Sequence, residues 1–390
     1  MDIAILGAGC SGASLAYFLA DAGFLGRIHL FDRRTDFSQE QRWCSWGPVP
    51  KRLSGLVSAS WDRWRIVSGN AEVVCSLPER PYLHVHAPEF YERMHDRLRR
   101  HPNVRLHLGC SVESVTPTGL RGEIRRVAAD FGDYDVDLVF DGRPSAENME
   151  ATRGSGEISL LQSFAGLVVE SSEAAFDPDT VTLMDFGAGD SPELSFVYVL
   201  PFSAHRALVE STAFSGDGIA YDEHERRVEN YLKKLGAGAY TVESRESGCI
   251  PMTTRKLPRM SDERHIMIGA AGGATRPSSG YAFVHILRQS ETLAGSLMRG
   301  EHTWRRPIPR KYGLLDAVFL DALEDSPAPA RESFLRMFGR VPTGALVRFL
   351  SGDSSLCDDL AVVAALDKTP FVAAAARRVK ASMLGAEERR

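Results

Sequence analysis

The residues of this sequence with the clearest chemical role are three glycines close to its N-terminus. Gly7, Gly9 and Gly12 form a GxGxxG pattern between an apolar segment and a segment of helical character. The first glycine allows a tight turn, the second lets a diphosphate approach the backbone, and the third lets helix and strand pack closely. Asp32 follows Gly12 by 20 residues, where a carboxylate can bond the ribose hydroxyls of adenosine and disfavours the 2′-phosphate of NADP. The spacing predicts a dinucleotide site, with a glycine-rich turn that binds no ligand as the alternative.

A second glycine-rich turn follows a predicted strand, His265–Ile268, some 260 residues after the first. Two such turns favour FAD over NAD, because one can hold the diphosphate while the other approaches the ribityl chain and isoalloxazine. The helix that opens after the turn would favour negative charge on a reduced flavin through its dipole. An ordinary strand-to-helix loop is the alternative. The candidate cofactor contacts in this turn are Gly269, Gly272, Gly273, Gly280 and Tyr281.

Further candidate cofactor contacts lie between the two turns. Arg42 and Trp43 follow the second predicted strand, and Trp43 together with Trp46 could flank the flavin or a cation. Both tryptophans could equally be hydrophobic anchors of their loop. Asp141 and Gly142 end an apolar segment and predict a tight turn beside the cofactor, with a plain turn as the alternative.

A framework of strands and helices must position these residues. The apolar segment Asp2–Leu6, the helical segment Ala13–Ala22 and the segment Arg27–Phe31 predict a βαβ opening. Between residues 160 and 210 the pattern changes to short strands joined by turns, which predicts a separate antiparallel sheet. From Tyr281 onward the chain is predicted to be mainly helical.

Composition narrows the classes of function. The 390 residues carry a formal net charge of −5, without the basic excess of a nucleic-acid-binding protein. Six cysteines without CxxC or metal-like spacing are typical of reduced thiols in a cytosolic protein. We find no signal-peptide pattern and no apolar run of about 18 residues, so no spanning helix is predicted. His84 and His86 share a face of one predicted strand, but without a third ligand we predict no metal site.

Several short segments, in order along the chain, together resemble the lycopene cyclase family. These flavoproteins close the ends of lycopene into β-ionone rings. The segments that carry the resemblance are Gln41–Trp46, Phe140–Arg143, Gln162–Gly166, Thr182–Phe186, Phe196–Ser203, Leu208–Thr212, Gly248–Met252 and Gly269–Tyr281.

The resemblance implies both a fold and a chemistry. The implied fold is α/β, a Rossmann-like FAD-binding domain of the aromatic-hydroxylase kind with an interleaved antiparallel substrate-domain sheet and a helical C-terminal region that often contacts membrane. The implied reaction uses reduced FAD, with NAD(P)H as external reductant, and involves no net redox change. The predicted bounds are 1–75, 101–160 and 255–300 for the FAD-binding domain, 76–100 and 161–254 for the substrate-binding domain, and 301–390 for the helical region.

Protonation of an alkene requires a positioned acid in a dry pocket, and burial raises the pKa of a carboxylic acid. Glu210 lies in Leu-Val-Glu-Ser-Thr, which resembles the Phe-Leu-Glu-Glu-Thr motif of the family, and is the predicted catalytic acid. Ser211 replaces the second acid of the motif, and adjacent strand residues face opposite ways. If the second position faced the flavin, this chain would lack its proton donor there. Asp185 and Glu246 are the reserve carboxylates, each more typical of a salt bridge.

A lipophilic substrate has to arrive from a bilayer. The segment Leu314–Leu320, with Arg306, Arg310 and Lys311 before it, has the composition of an interfacial helix or of a helix packed in the core. The predicted location is cytoplasmic, with peripheral contact at the inner face of the membrane left open.

The sequence therefore predicts an FAD-dependent, redox-neutral cyclase of a lipophilic polyene, lycopene or a related carotenoid. One alternative is an FAD-dependent monooxygenase or desaturase on the same fold. The other is a flavin- or carotenoid-binding protein without catalysis.

Overall fold

The computed structural model of the chain describes residues 1–39, 41–119, 122–144, 159–188, 193–254, 260–302, 304–325, 327–366, 371 and 374. In chain order, its strands are β1 (Ile3–Leu6), β2 (Ile28–Asp32), β3 (Arg42–Trp46), β4 (Ala59–Trp61), β5 (Arg63–Ser68), β6 (Ala71–Ser76), β7 (Tyr82–His86), β8 (Val104–Leu108), β9 (Val112–Thr118), β10 (Ile124–Ala129), β11 (Gly132–Val136), β12 (Leu138–Asp141), β13 (Ser159–Ser171), β14 (Thr180–Asp185), β15 (Leu194–Pro201), β16 (Arg206–Ser215), β17 (Tyr240–Thr253), β18 (Met260–Asp262) and β19 (His265–Met267). Its α-helices are α1 (Cys10–Asp21), α2 (Ala87–Arg99), α3 (Tyr221–Leu235), α4 (Phe283–Met298), α5 (Arg310–Asp325), α6 (Pro327–Arg340), α7 (Thr343–Leu350) and α8 (Leu356–Ala365).

The N-terminal strand lies inside a six-stranded sheet of order β18-β19-β12-β1-β2-β8. Its pairings are parallel except that between β18 and β19. All four residues of β1 are fully buried, because α1, α2 and α4 cover one face and the small sheet β11-β10-β9 covers the other. Burial on both faces is why β1 is apolar without alternation. The predicted βαβ opening and Rossmann-like fold are confirmed.

A seven-stranded sheet of order β17-β13-β16-β15-β14-β5-β6 forms the second layer system. Its pairings are antiparallel except that between β14 and β5. Helix α3 packs on one face through Val228 and Leu232. The other face packs against the C-terminal helices and against residues of the third sheet, β3-β7-β4.

The bounds of the two predicted domains differ from the sheet pairings in two places. Strands β5 and β6, which we predicted within the FAD-binding domain, pair into the seven-stranded sheet. Helix α2, which we predicted with the substrate-binding domain, packs into the core of the six-stranded sheet through Phe90, Met94 and Leu98. These three residues lie on one helical face, so their periodicity fixes the buried side of the helix but not its partner.

The C-terminal region is helical over its described residues, with α5 to α8 in succession. None of the helices in the described ranges has both the length and the apolar character that crossing a membrane requires. Helix α5 contributes Leu320 and Leu323 to the core beneath the seven-stranded sheet. The helix predicted as interfacial or core-packed is therefore core-packed along one side, while Leu314 on the same helix is 63% exposed.

Candidate active site

The first glycine turn joins β1 to α1 at the carboxyl edge of the six-stranded sheet. Gly7 has a φ of 93°, a left-handed conformation that strains other residues. A Cβ on Gly12 would lie 1.9 Å from the carbonyl oxygen of Gly7. The backbones of helix and turn therefore pack directly together, without room for a side chain at position 12. A Cβ on Gly9 would meet the ends of the Arg34 and Tyr91 side chains, at 3.4 and 3.9 Å. The turn and the N-terminus of α1 thus fit a diphosphate held by backbone amides.

Asp32 ends β2 beside this turn. Its carboxylate accepts a hydrogen bond from the Ala8 amide at 2.8 Å and from the backbone and guanidinium of Arg34 at 2.8 to 3.0 Å. Burial alone would raise the pKa of Asp32, but the bonds from Arg34 and Ala8 outweigh it and hold the pKa below the usual range. An ionised acceptor therefore lies where the ribose contact is predicted. Arg34, which the sequence did not single out, adds positive charge next to Gly9.

Loops from three distant parts of the chain meet at Ser11, a buried residue of α1. A Cβ on Gly142 would lie 2.8 Å from the Ser11 hydroxyl oxygen, and a Cβ on Gly269 would lie 2.6 Å from it. The Gly269 amide donates to the Gln289 side chain of α4 at 2.8 Å. The two predicted glycine turns are therefore neighbours in space, at one edge of one sheet.

The second turn continues through Gly272, Gly273, Gly280 and Tyr281. Gly280 has a φ of 68°, and a Cβ there would lie 2.8 Å from the Gln162 side-chain oxygen on β13. The Tyr281 hydroxyl lies 3.3 Å from that of Tyr82 on β7. The turn thus starts at the six-stranded sheet and ends against the seven-stranded sheet, so it links the nucleotide edge to the second layer system.

A buried ion pair fastens this turn to the C-terminal helices. Arg276 and Asp316 of α5 are paired at 2.9 Å with side chains 1% and 2% exposed. The guanidinium lies over the rings of Tyr312 and Phe349, and the Ser278 hydroxyl donates to Asp316 at 2.7 Å. Breaking one partner of such a pair would leave an uncompensated buried charge. The sequence analysis missed this clamp, because no local pattern connects residues 40 positions apart.

Asp141 is placed beside the nucleotide edge, but its carboxylate is occupied. His265 and Arg143 contact it at 3.2 and 2.8 Å, and Arg143 also donates to the Val112 carbonyl in the small sheet. Burial would raise the pKa of Asp141, but these bonds outweigh it and lower the pKa to about 2. Gly142, rather than the Asp141 side chain, faces the first turn, and contact of Asp141 with a cofactor stays a prediction.

Glu210 and Glu246 face the same side of the seven-stranded sheet, which we call the inner face. Gly166 on β13 pairs with Glu210 on β16 and with Glu246 on β17. Cross-strand partners point to one face, so the two glutamates flank Gly166, whose missing side chain leaves room for the Leu208 and Glu210 side chains, 2.9 and 3.1 Å from where a Cβ would lie. Tyr198 pairs with Glu210 on the far side, and Arg42 of β3 contacts Glu246 at 3.3 Å with both side chains buried. Glu246 thus makes the salt bridge expected of it, with a residue predicted to contact the cofactor.

The surroundings of Glu210 favour its protonated form. Glu210 keeps some accessible surface, yet protein atoms crowd its carboxyl group densely, and this burial is the main cause that raises its pKa. The negative charge of Glu246 raises the pKa further, while the Thr212 hydroxyl, which donates to Glu210 at 2.8 Å, and Arg42 lower it by less. The net result is a pKa well above the usual range of a glutamate, as in the acids of many active sites.

Ser211 faces the opposite side of the sheet, which we call the outer face. Its hydroxyl lies 3.0 Å from His224 Nδ1 of α3, and His224 Nε2 lies 3.1 Å from the Ser163 hydroxyl. All three side chains are buried. The reserve carboxylate Asp185 accepts from the Tyr231 hydroxyl of α3 at 2.9 Å. Ser211, which stands where the family motif has its second acid, is therefore part of the contact between the sheet and α3. Glu210, which stands at the first acid, is the residue on the inner face.

Aromatic side chains surround the inner face near Glu210. The hydroxyls of Tyr198, Tyr82 and Tyr281 form a chain with O···O distances of 3.1 and 3.3 Å. Trp46 packs edge-on against Tyr82 and Tyr281, with ring centroids 4.9 and 5.6 Å apart. Burial raises the pKa of the Cys44 thiol, which bonds Tyr198, to about 12. These groups stay uncharged at neutral pH and offer aromatic faces to a cation.

Trp43 and Trp46 lie three residues apart on β3, so they point to opposite faces. Trp43 stacks on Phe283 at the start of α4, with ring centroids 5.4 Å apart, and also contacts Phe90. Trp46 belongs to the core beneath the inner face. The two rings do not flank a common site. Both make the anchoring contacts that were the alternative interpretation, and cofactor contact by Trp43 stays a prediction.

Over the part of the chain that the structure describes, no three or more side chains of His, Cys, Asp or Glu form a cluster suited to a metal ion. The residues that converge instead are two sets. One is a nucleotide edge with two glycine turns, Asp32 and Arg34. The other is the buried Glu210, its neighbour Glu246 and an aromatic wall. The turn from Gly269 to Tyr281 lies against both sets.

Comparison with known proteins places the sequence in a family. The sequence profile described as "Lycopene cyclase protein" matches residues 2–378. A lycopene beta-cyclase from Pseudescherichia vulneris is 25% identical over 347 residues, 82% of this chain and 80% of that protein. One from Paracoccus sp. (strain N81106 / MBIC 01143) is 27% identical over 61% of this chain and 63% of that protein. The chloroplastic lycopene beta cyclase of Arabidopsis thaliana is 30% identical, over 34% of this chain and 29% of that protein.

Solved structures with the same fold have low sequence identity to this chain. A flavoprotein/dehydrogenase from Cytophaga hutchinsonii superposes with a TM-score of 0.63 at 15% identity, over 93% of this chain and 98% of that one. A geranylgeranyl bacteriochlorophyll reductase-like protein from Thermoplasma acidophilum gives 0.62 at 12% identity, over 93% and 95%. A p-nitrophenol 4-monooxygenase from Pseudomonas putida gives 0.55 at 16% identity, over 97% and 96%. At these identities the comparison shows the fold alone.

Proposed function

Because this chain belongs to the lycopene cyclase family, we propose that it is a flavin-dependent cyclase of a lipophilic polyene, lycopene or a related carotenoid. The reaction is redox-neutral: a proton adds to a terminal double bond, the chain closes on the resulting cation, and a proton leaves. The observation that carries the proposal is the inner-face acid. Glu210 is a carboxyl group whose pKa is raised by burial and by the charge of Glu246, on the inner face near the turn that leads from the nucleotide edge.

Protonation of an alkene forms a carbocation. The acid must therefore be protonated and held in a fixed orientation toward the double bond. A neutral carboxylic acid beside an apolar substrate has no water to which it could lose its proton, so the proton is kept for the alkene. The Thr212 hydroxyl donates to one carboxyl oxygen of Glu210 and orients the group. Arg42 compensates Glu246, so the neighbouring charge can persist without solvent.

The residues that would hold FAD fit the group. Gly7, Gly9 and Gly12 give the backbone surface for the diphosphate, Asp32 gives an acceptor for ribose, and the Gly269–Tyr281 turn lies against the first turn at Ser11. When bound and reduced by NAD(P)H, the flavin would supply negative charge that stabilises a cation. The protein contributes the acid, the aromatic faces of Trp46 and Tyr281, and the exclusion of water that would otherwise trap the cation as an alcohol.

We also propose that the protein takes its substrate from a lipid bilayer through α5 and α8. Leu356, Leu360 and Val363 recur on one face of α8 and are 75%, 67% and 50% exposed, and Leu314 of α5 is exposed as well. The two helices are joined by the ion pair of Lys311 with Asp359 at 2.7 Å. Exposed leucines near basic residues are the composition of a surface that lies on a membrane.

Cosedimentation with anionic lipid vesicles tests the membrane contact. A Leu356→Ser/Leu360→Ser variant should lose most of the bound fraction. Leu25→Ser is the matched control, because Leu25 is 92% exposed but lies in the loop after α1. Equal binding by both variants and the wild type would contradict the proposed surface.

The mass of the product tests the reaction itself. The purified protein is incubated with lycopene, FAD and NADPH. The pigments are then separated by chromatography and their masses are measured by mass spectrometry. A cyclase gives a product with the mass of lycopene and one carbon–carbon double bond fewer for each ring that closes. A gain of one oxygen would show a monooxygenase and a loss of two hydrogens a desaturase. If lycopene binds but stays unchanged in both the wild type and a Glu210→Ala variant, the protein is a carrier.

A further inference from the structure

His84 is a buried histidine on the inner side of β7 with no role in the proposal so far. It pairs in register with Cys44 of β3 and with Ala59 of β4. Its side chain is 3% exposed, and neither ring nitrogen has a hydrogen-bond partner among the residues that the structure describes. Buried polar atoms are almost always paired. An imidazole with two unused nitrogens in the interior therefore points to a function that needs one of them free.

The surroundings of His84 keep the imidazole neutral. Burial is the largest cause, and the positive charges of Arg42, His86 and Arg206 act in the same direction, so the pKa of His84 falls to about 3. The ring of Phe202 lies 5.4 Å from the imidazole, centroid to centroid. A neutral imidazole has one nitrogen with a free lone pair. His84 thus presents an uncharged base in apolar surroundings.

The register places His84 on the same side as Glu210. Cross-strand partners share a face, so His84 and Cys44 point the same way. The Cys44 thiol bonds the Tyr198 hydroxyl, and Tyr198 pairs in register with Glu210. The acid and the free imidazole therefore both point into the contact between the two sheets, where Cys44 and Tyr198 lie between them.

On the basis of the proposed cyclase function, we propose that His84 is the base that removes the proton from the cyclised cation. Glu210 gives its proton to one carbon of the terminal double bond, and a new carbon–carbon bond closes the ring. The cation then lies on a ring carbon, and His84 takes a proton from a carbon beside it as the ring double bond forms. The proton passes from the imidazolium to the Glu210 carboxylate, so no atom or electron is gained or lost over the cycle.

Two groups suit this cycle better than one, since the proton arrives at one carbon and leaves from another. The order of acidity also drives the return step. An imidazolium whose pKa is strongly lowered is a far stronger acid than a carboxyl group whose pKa is raised, so the proton transfer back to Glu210 is downhill. The acid is thereby restored without water. The position of the base also selects which carbon loses its proton, and hence which ring isomer forms.

The test uses full-length protein with FAD bound, and compares wild type with His84→Phe and His84→Gln. Turnover of lycopene should fall about 100-fold or more in both variants. The residual product should contain more than one ring isomer or a trapped alcohol, as read by chromatography with mass detection. Substrate affinity and the flavin absorbance spectrum should stay within about twofold of wild type. The Phe variant should also melt about 2–4 °C higher, because it removes two unpaired polar atoms from the interior.

His86→Gln is the matched control. His86 lies two residues away on the same strand and contacts Glu89 at 3.4 Å. Its influence on the pKa of His84 is smaller than that of burial and of Arg42, so this variant should turn over nearly like wild type. Unchanged turnover and a single ring isomer in both His84 variants would overturn the assignment. So would a loss confined to substrate affinity, which would make His84 a contact for the substrate, or a loss of FAD binding in both, which would make it structural. A wild-type protein that forms no cyclic product refutes the cyclase function itself.

Discussion

The two faces of the seven-stranded sheet differ in how their buried polar groups are hydrogen-bonded. On the outer face Ser211 lies in a closed set of hydrogen bonds with His224 and Ser163, and each partner is satisfied. On the inner face Glu210 and a second carboxylate, Glu246, flank Gly166. His84, on the sheet opposite, has no partner among the described residues. One residue step along β16 separates these two environments.

The difference teaches where this fold carries functional groups. Hydrogen-bonded polar clusters rigidify a contact, and α3 is held to the sheet in this way. A carboxyl group beside a like charge, or an imidazole without partners, lowers stability. Such arrangements persist where they serve a site. On this comparison we propose that the inner face is the catalytic face, while the outer face forms a structural contact between sheet and helix.

The largest expected effect is on the inner face. A Glu210→Gln variant keeps the size and the hydrogen bond from Thr212 but has no acidic proton. Turnover of lycopene should fall by about 1,000-fold or more. The free energy of unfolding at neutral pH should nevertheless rise by about 1 kcal/mol or more, since the variant removes a carboxyl group that has to stay protonated in the folded protein but ionises in the unfolded chain. Product chromatography and urea unfolding measure the two effects.

The control for this change is Glu243→Gln on the exposed side of β17. Glu243 pairs with Arg206 at the surface at 2.8 Å, and exposed pairs contribute little stability. This variant should match wild type in turnover. A Glu210→Gln variant that still cyclises at the wild-type rate would remove Glu210 as the acid and end the assignment of the inner face.

The next effect belongs to the outer face. Ser211→Glu restores the second acid of the family motif, but at a site 1% exposed and filled by His224. Overpacking and a new buried charge should lower the free energy of unfolding by about 3 kcal/mol. Turnover per folded molecule should not rise. Ser211→Ala, which only removes a hydroxyl from the cluster, should cost about 1 kcal/mol.

Urea unfolding of the two Ser211 variants, together with turnover per bound flavin, measures this contrast. If Ser211→Glu instead gained turnover without losing stability, the side chain at position 211 would have to reach the reacting end of the substrate. The assignment of the two faces would then be reversed.

Much of the nucleotide edge followed from sequence because its signals are local. The GxGxxG turn, its flanking strand and helix, and Asp32 lie within 30 residues, and each has a steric reason for its residue type. The sequence also predicted that the second turn contacts the same cofactor as the first. The two turns do lie together at Ser11, since the carboxyl ends of parallel strands meet at one edge. Period-two alternation also showed that only one of Glu210 and Ser211 could face the cofactor.

The rest could not be predicted, because it depends on which distant elements pack together. Because strand residues alternate, Glu210 and Ser211 must point to opposite faces of the sheet. Which of the two faces a helix depends on where α3 packs, and the sequence does not give that. The approach of Glu246 requires the pairing of β13 with β17 and a glycine at position 166. The free imidazole of His84 was noted only as half of a metal pair, because a missing partner is visible only in three dimensions.

The smallest expected effect is a shift in pH dependence that separates Glu246 from Glu210. Because the acid form of Glu210 is required, turnover should be constant at low pH and fall as pH rises through its raised pKa. The groups around it are Glu246, Arg42 and Thr212, with Cys44 and Tyr198 uncharged. Glu246→Gln removes the repulsive charge, so the falling limb should move to lower pH by about one unit and turnover at pH 8 should drop about fivefold.

The raised pKa of Glu210 should also make the free energy of unfolding depend on pH. A carboxyl group whose pKa is raised by folding contributes stability that is fully present below its unfolded pKa, about 4.5. That contribution is lost as pH rises toward the folded pKa of Glu210. The Glu210→Gln variant lacks this loss, so its advantage over wild type should grow between pH 4.5 and neutral pH and be smaller in a Glu246→Gln background. A pH profile that Glu246→Gln leaves unmoved would mean that the two carboxylates do not interact, and burial alone would then have to hold the proton on Glu210.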